Sequence, residues 1–370
     1  MPPSRTARAR SRTPSAAPPT PPRLKCCRNK AVGSVAVTTV APTRVAIPLQ
    51  LSRAAPLLAP LQDIAGRTMG TSWSVKFVGS AAAAQTLRRA IVGVLERVVM
   101  QMSPWDAGSA LSEFNDGPLG EWHELPREFA TVMAEALRIA GESDGAFDPT
   151  MGPLVDLWGF GPQGRPPALP SAADIAQQRG ICGWRRLEFD ASSRRLRRLS
   201  ACRLDLNGIA KGFAVDLVMT TLRQHGIHHA LVEIGGELAG AGLKPDGTPW
   251  WVDIDRPSAS SGVPALRVAL HGLAIATSGC ERGYDGPGRH LSHTIDPRSG
   301  VPIDNAMVTA TVLHQSCMAA DAYATALMVM GFDAGIAFAT RHKLAAAIRF
   351  HRDTIALDER LSPALQAMLD

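Results

Sequence analysis

Apolar positions recur with helical spacing over 81–101, where Leu87, Ile91, Val94, Leu95 and Val98 share one face. A second stripe of Phe129, Val132, Met133, Leu137 and Ala140 predicts a helix over about 126–140. Pro126 suits its first turn and Gly141 its end. A third helix is expected from Asn207, or just after it, to a stop at Gly226, and a fourth over roughly 319–330, closed by Gly331. Segments 71–77, 230–234, 250–255, 266–270, 273–277 and 307–313 read as strands, several of them alternating in the half-buried manner. Helices and strands are not regularly interleaved, and hairpin-like pairs dominate the later part of the chain. This pattern predicts an α+β fold, mainly antiparallel sheet with packed helices, and not a doubly wound one.

The pattern is absent at the N-terminus. Residues 1–53 hold ten Lys/Arg and no Asp or Glu, leaving 29 basic against 33 acidic residues in the rest. The basic balance therefore belongs to the tail, and with no basic stripe on the body a nucleic-acid partner is not expected. Residues 1–62 read as a disordered Pro/Arg/Ala-rich tail and Pro-broken linker, and residues 63–370 as one catalytic domain. Residues 31–41 are an imperfect apolar run without a convincing cleavage site, and no stretch reaches the ~20 apolar residues of a membrane span. The compartment is left open. Six scattered cysteines, with no C-x-x-C pair and no Cys/His zinc spacing, predict buried free thiols rather than disulfides.

Five segments combine turn formers with hard oxygens or charges. They are Met69-Gly70-Thr71; Met102 to Asn115, containing Trp105-Asp106; Gly145-Ala146-Phe147-Asp148-Pro149-Thr150, running on to Gly161; Asp205 to Gly212; and Ser292-His293-Thr294-Ile295-Asp296-Pro297-Arg298, followed distantly by Ala320 to Leu327. Asp321 and Thr325 lie four apart on a predicted helix and project from one face. A carboxylate and a hydroxyl suit a hard cation such as Mg²⁺. On spacing alone, a solvated Asp and a Thr bonded to its own helical turn describe the pair better. Asn207 or Gly208 could cap a helix whose first amides attract phosphate, with Lys211 one turn in, although on these residues alone an ordinary capped helix with Lys211 on its wet face describes the segment better. His293 could serve as a general base or only as a loop hydrogen-bonding group. Neither a G-x-G-x-x-G nor a Walker A motif occurs where a strand meets a helix.

Taken in order, the runs G-A-F-D-P-T-x-G-P-L, D-L-x-G-I-A-K-G, S-H-x-I-D-P-R-x-G and A-D-A-x-A-T-A-L closely resemble the FAD:protein FMN transferase (ApbE) family, from about Met69 to Gly331. The resemblance implies a T-fold-like α+β domain built around antiparallel sheet. It implies that FAD is lined by Met69, Trp105, Ala146, Phe147, Asp148, Asp205 and Lys211. It implies Mg²⁺ held by the Gly208 carbonyl, Asp321 and Thr325, with His293 as the catalytic base. The reaction implied moves FMN from FAD to a Ser/Thr hydroxyl of an acceptor flavoprotein, with AMP leaving. Alternatives are an FAD pyrophosphatase giving FMN and AMP, and a non-catalytic FAD-binding protein. Retention of Asp321, Thr325 and His293 argues against the last. Where relatives commonly carry a polar or acidic residue after Thr277-Ser278-Gly279, this chain has Cys280.

Overall fold

The computed structural model describes residues 43–49, 58–254, 263–286, 289–352 and 356–369. Residues 1–42, with Cys26 and Cys27, lie outside them. The fold is α+β around an eight-stranded sheet. Its strands are β1 (Leu61–Thr68), β2 (Thr71–Val78), β3 (Ala230–Ile234), β4 (Glu237–Ala241), β5 (Leu273–Gly279), β6 (Met307–His314), β7 (Ala345–His351) and β8 (Leu357–Leu361). Every pairing is antiparallel, and spatial order follows chain order from β1 to β8. The sheet is thus a meander, and the remaining elements are excursions from it. The long excursion between β2 and β3 and the loops around β5 bring in the chemistry-bearing segments.

Period-two alternation sorts the sheet residues between two cores. Val75, Phe77, Val232, Ile234, Ala274, Ala276, Ala310 and Val312 point to the helical face. Val78, Leu231, Ile275 and Leu313 point to the other. There a three-stranded sheet covers them, ordered Arg44–Ala46, Leu266–Leu270, Trp250–Ile254. Arg44–Ala46 falls in the stretch expected to be tail and linker, yet it pairs in parallel with Leu266–Val268. Ala46 is fully buried, and β1 begins at Leu61, two residues before the expected domain start. The short apolar run around residues 44–47 is therefore used as a strand. Of the strand expected at 250–255, Trp250–Ile254 forms, and Asp255 lies outside the described residues.

On the helical face lie α1 (Ala81–Met102), α2 (Arg127–Glu142), α3 (Ala210–Gln224) and α4 (Cys317–Met330). Helix α1 starts at Ser80, whose hydroxyl accepts from the Ala83 amide, and buries Leu87, Ile91, Val94, Leu95, Val98 and Met102. Pro126 sits just before α2, which runs past Gly141 to Glu142. Helix α4 lies across β5 and β6 beside α3, and is buried nearly all round, as its alanines permit. A Cβ at Gly212 would stand 2.3 Å from the Cys317 carbonyl oxygen, so only glycine lets α3 approach α4 this closely. None of the four described cysteines is in a disulfide: Cys202, Cys280 and Cys317 are buried and Cys182 is half-buried. Among the described residues no helix is long and apolar enough to cross a membrane.

Candidate active site

A cavity of about 1550 Å³ opens between the helical layer and the loops around β5. All eleven residues singled out in the sequence line it, although they come from six separate stretches of chain. Met69 sits in the β1–β2 hairpin turn, where it and Gly70 both have positive φ (47° and 71°). This is the two-residue turn that matches strand twist. Trp105 follows α1 and is 59% exposed, while Ala146 and Phe147 are buried.

Buried backbone links stitch the neighbouring segments together. The Asp205 amide donates to the Pro149 carbonyl (2.9 Å) and the Gly152 amide to that of Arg203 (3.1 Å). The Asn115 side chain donates to the Leu204 carbonyl (3.0 Å) and accepts from the Leu204 amide (2.6 Å). Asp148 is committed to its own loop, accepting from the Thr150 amide (2.8 Å), the Thr150 hydroxyl (2.6 Å) and the Trp184 amide (3.0 Å). Asp205 accepts from the amide and side chain of Asn207, both at 2.9 Å. The two carboxylates shape the wall while their oxygens are already used.

The α3 entry differs from expectation. Neither Asn207 nor Gly208 caps it; Ile209 is the N-cap residue and supplies no side-chain bond. The acceptor comes from α4 instead, where Asp321 Oδ2 takes the Gly212 amide at 3.0 Å. A carboxylate at a helix N-terminus satisfies an orphan donor and meets the positive end of the dipole. Asp216 of α3 returns the favour at the start of α4, accepting from the Cys317 amide (2.9 Å), the Met318 amide (3.0 Å) and the Ser316 hydroxyl (2.8 Å). The helices carrying the site are thus locked to each other through their first turns. On Asp321, 4% exposed, burial raises the carboxyl above its usual value, against the Lys211 charge and the Gly212 amide.

Lys211 is not free on a wet face. Its ammonium is paired with Glu237 of β4, a residue that none of the five sequence segments contains. Glu237 is 3% exposed, and its Oε2 is buried with no hydrogen-bond partner among the described residues. Burial, with Asp321 adding to it, pushes the Glu237 carboxyl up to about 7. Burial works against the Lys211 charge, but Asp321 and Glu237 outweigh it and hold that pKa above the ordinary lysine value. Two buried carboxylates thus share one ammonium. Beside them, the Thr325 hydroxyl meets that of Ser278 (3.2 Å), and a Cβ at Gly208 would come 3.0 Å from Thr325 Oγ1. Carboxylate, hydroxyl and glycine backbone are hard oxygen donors. This donor set fits a hard cation, although no three His, Cys, Asp or Glu side chains form a metal cluster among the described residues.

His293 is half-buried and held by one carbonyl: its amide and its Nδ1 both reach the Arg282 oxygen at 3.0 Å. A carbonyl only accepts, so Nδ1 carries the hydrogen and Nε2 keeps its lone pair. Burial lowers the imidazole pKa below its usual value near 6.5. Asp296, the nearest carboxylate along the chain, is occupied by the Arg298 amide (2.9 Å) and guanidinium (2.9 and 3.0 Å) and does not line the cavity. Cys280 packs into the hydrophobic core away from the cavity, so the departure there leaves the lining untouched.

The chain is similar to known proteins in sequence and in fold. The FAD:protein FMN transferase of Vibrio cholerae is 40% identical over 284 residues, covering 76% of this chain and 85% of the relative. The crystal structure of apo Pseudomonas stutzeri flavinyl transferase ApbE superposes with a TM-score of 0.78 at 37% identity, covering 84% of this chain and 96% of that one. The ApbE protein of Thermotoga maritima gives 0.74 at 27% identity, over 84% and 99%. The sequence profile of the ApbE family matches residues 69–348, the stretch that builds β2 to β6, the paired helices and the cavity lining, and the chain belongs to that family.

Proposed function

We propose that this chain is an FAD:protein FMN transferase in which the cavity binds FAD and His293 activates a Ser or Thr hydroxyl of an acceptor flavoprotein. The observation that carries the reading is the convergence of the five segments on one cavity, with an imidazole whose Nε2 is unprotonated and free. Phe147 and Trp105 offer apolar faces to a planar ring, one buried and one at the rim. Lys211, steadied by Glu237, keeps two ammonium donors for phosphate oxygens.

Asp321, Thr325 and the Gly208 carbonyl would hold Mg²⁺, which when bound neutralises diphosphate charge and acts as a Lewis acid there. The chain's own groups then account for the rest. The acceptor hydroxyl gives its proton to His293 Nε2 as its oxygen bonds to the FMN phosphorus, and the bond from that phosphorus to the bridging oxygen breaks, so that AMP leaves with the bridging oxygen. Positioning and charge stabilisation supply most of the rate in such transfers. The nucleophile belongs to the partner, so none is needed in this chain.

Incubation with FAD, Mg²⁺ and a flavoprotein acceptor, followed by intact mass spectrometry, tests the reading. The acceptor is expected to gain one FMN through a phosphoester, with an equal yield of AMP. FMN and AMP released with the acceptor unchanged would mark a hydrolase. FAD bound but intact would mark a carrier.

A further inference from the structure

The charges of the cavity are unevenly committed. Six acidic side chains line it: Asp148, Asp205, Glu237, Asp253, Glu281 and Asp321. Only Lys211 and Arg282 oppose them, and Lys211 is paired with Glu237. The Arg282 guanidinium makes no ion pair or hydrogen bond among the described residues, and the side chain is exposed to the cavity. A guanidinium that makes no ion pair keeps its planar fork of donors for phosphate oxygens, although its charge is felt by Asp321.

Backbone geometry puts this group beside the base. The strands Gly283–Gly286 and Arg289–Ser292 form a hairpin in which Gly283 is paired with Ser292. Arg282 and His293 are the next residues outward, joined by the His293 amide and the Arg282 carbonyl. Residues directly opposite in an antiparallel pair project to the same side, and both line the cavity. The hairpin is pressed tight at this end: a Cβ at Gly283 would lie 2.0 Å from the Leu291 carbonyl oxygen. One residue thereby fixes the imidazole through its carbonyl and offers a cation through its side chain.

We propose that Arg282 is a diphosphate-binding residue, gripping the phosphoryl oxygens of the dinucleotide next to His293 Nε2. This rests on the transferase reading above and goes beyond it. The arginine ties the position of the phosphorus to the position of the base, because the same residue holds both.

Titration calorimetry of wild type, Arg282→Ala and Arg282→Lys with FAD, ADP and riboflavin, all in Mg²⁺, tests it. Arg282→Ala is expected to bind FAD and ADP roughly 10- to 100-fold more weakly, the range of a lost charge-assisted contact. Riboflavin affinity and melting temperature should stay at the wild-type value, since riboflavin has no phosphate and the guanidinium holds nothing in the fold. Arg282→Lys should fall between, keeping charge without the fork. ADP affinity within about twofold of wild type in Arg282→Ala would overturn the assignment, as would an equal loss of riboflavin. Wild type binding neither FAD nor ADP would sink the transferase reading and this inference with it. Wild type binding both, with Arg282→Ala unchanged, would remove only the arginine.

Discussion

Two buried charge clusters in this molecule look alike by composition and differ in every consequence. At the sheet edge, Glu359 of β8 lies between Arg349 of β7 (2.8 Å) and Arg44, with side-chain exposures of 4%, 2% and 27%. Both of its oxygens are used. In the cavity, Glu237 and Asp321 share Lys211, one carboxylate oxygen has no partner, and the carboxyls are pushed up by burial. The first cluster lies outside the cavity lining and joins the Arg44 strand to the main sheet. The second is open, acidic and next to empty space. Burial of charge therefore does not mark a site by itself; an unsatisfied buried atom facing a cavity does.

Loss of turnover in the open cluster should be the largest effect. Asp321→Ala is expected to reduce flavin transfer by at least about 100-fold, since charge stabilisation at the reacting phosphate carries the rate. The melting temperature should change little. Near-normal transfer in Mg²⁺ would dissolve the contrast between the clusters. His293→Ala should lower transfer by about 10²–10⁴-fold with FAD affinity retained. The sign of its pH dependence follows from burial. An imidazole held below its usual 6.5 stays deprotonated further into acid, so the transfer plateau should extend below pH 6.5 and fall only as the ring protonates. A rate already lost at that pH would remove His293 as the base.

In the sheet-edge cluster the expected damage is to stability. Glu359→Ala leaves two guanidinium groups facing each other and should cost about 3–5 kcal/mol in urea unfolding. Affinity for FAD in the folded fraction should be unchanged, and a selective loss of FAD binding would show that the two clusters communicate. Removal of the Arg44–Ala46 segment is milder. A chain beginning at residue 43 should melt like the full chain, whereas one beginning at Asp63 loses the Arg44–Ala46 strand, the Arg44–Glu359 pair and the first two residues of β1. Its melting temperature should fall by on the order of 5 °C. Equal melting of the two would show that this strand adds nothing. Thr325→Val is the smallest effect, less than about tenfold in transfer, because water can replace a hydroxyl around a hard cation. A loss as large as that of Asp321→Ala would promote the hydroxyl to an equal ligand.

Much of this was legible along the chain. The stripe of α1 and the strands 230–234 and 266–270 could be read because period and burial coincide there. Spacing alone left Asp321, Thr325, Gly208, Lys211 and His293 ambiguous, and the ordered motifs resembling the ApbE family singled them out; all five line the cavity. Strands β1, β4, β7 and β8 and the pairing of Arg44–Ala46 were not read, since β1 and β8 carry charged residues within them and β4 and β7 are rich in alanine, which gives little strand signal.

Local sequence by itself determined which segments become helices or strands and which residue types could do chemistry. Tertiary structure alone decided how those residues are used. Glu237 pairs with Lys211 across 26 positions of chain, Asp321 caps a helix 109 positions away, and Asp296 is spent on its own loop. Hydrogen-bond partners and buried charge depend on which surfaces the sheet brings together. Spacing along the chain reports only the neighbours within a turn, so an unsatisfied Glu237 oxygen or an uncommitted Arg282 has no signature until the helices close over the sheet.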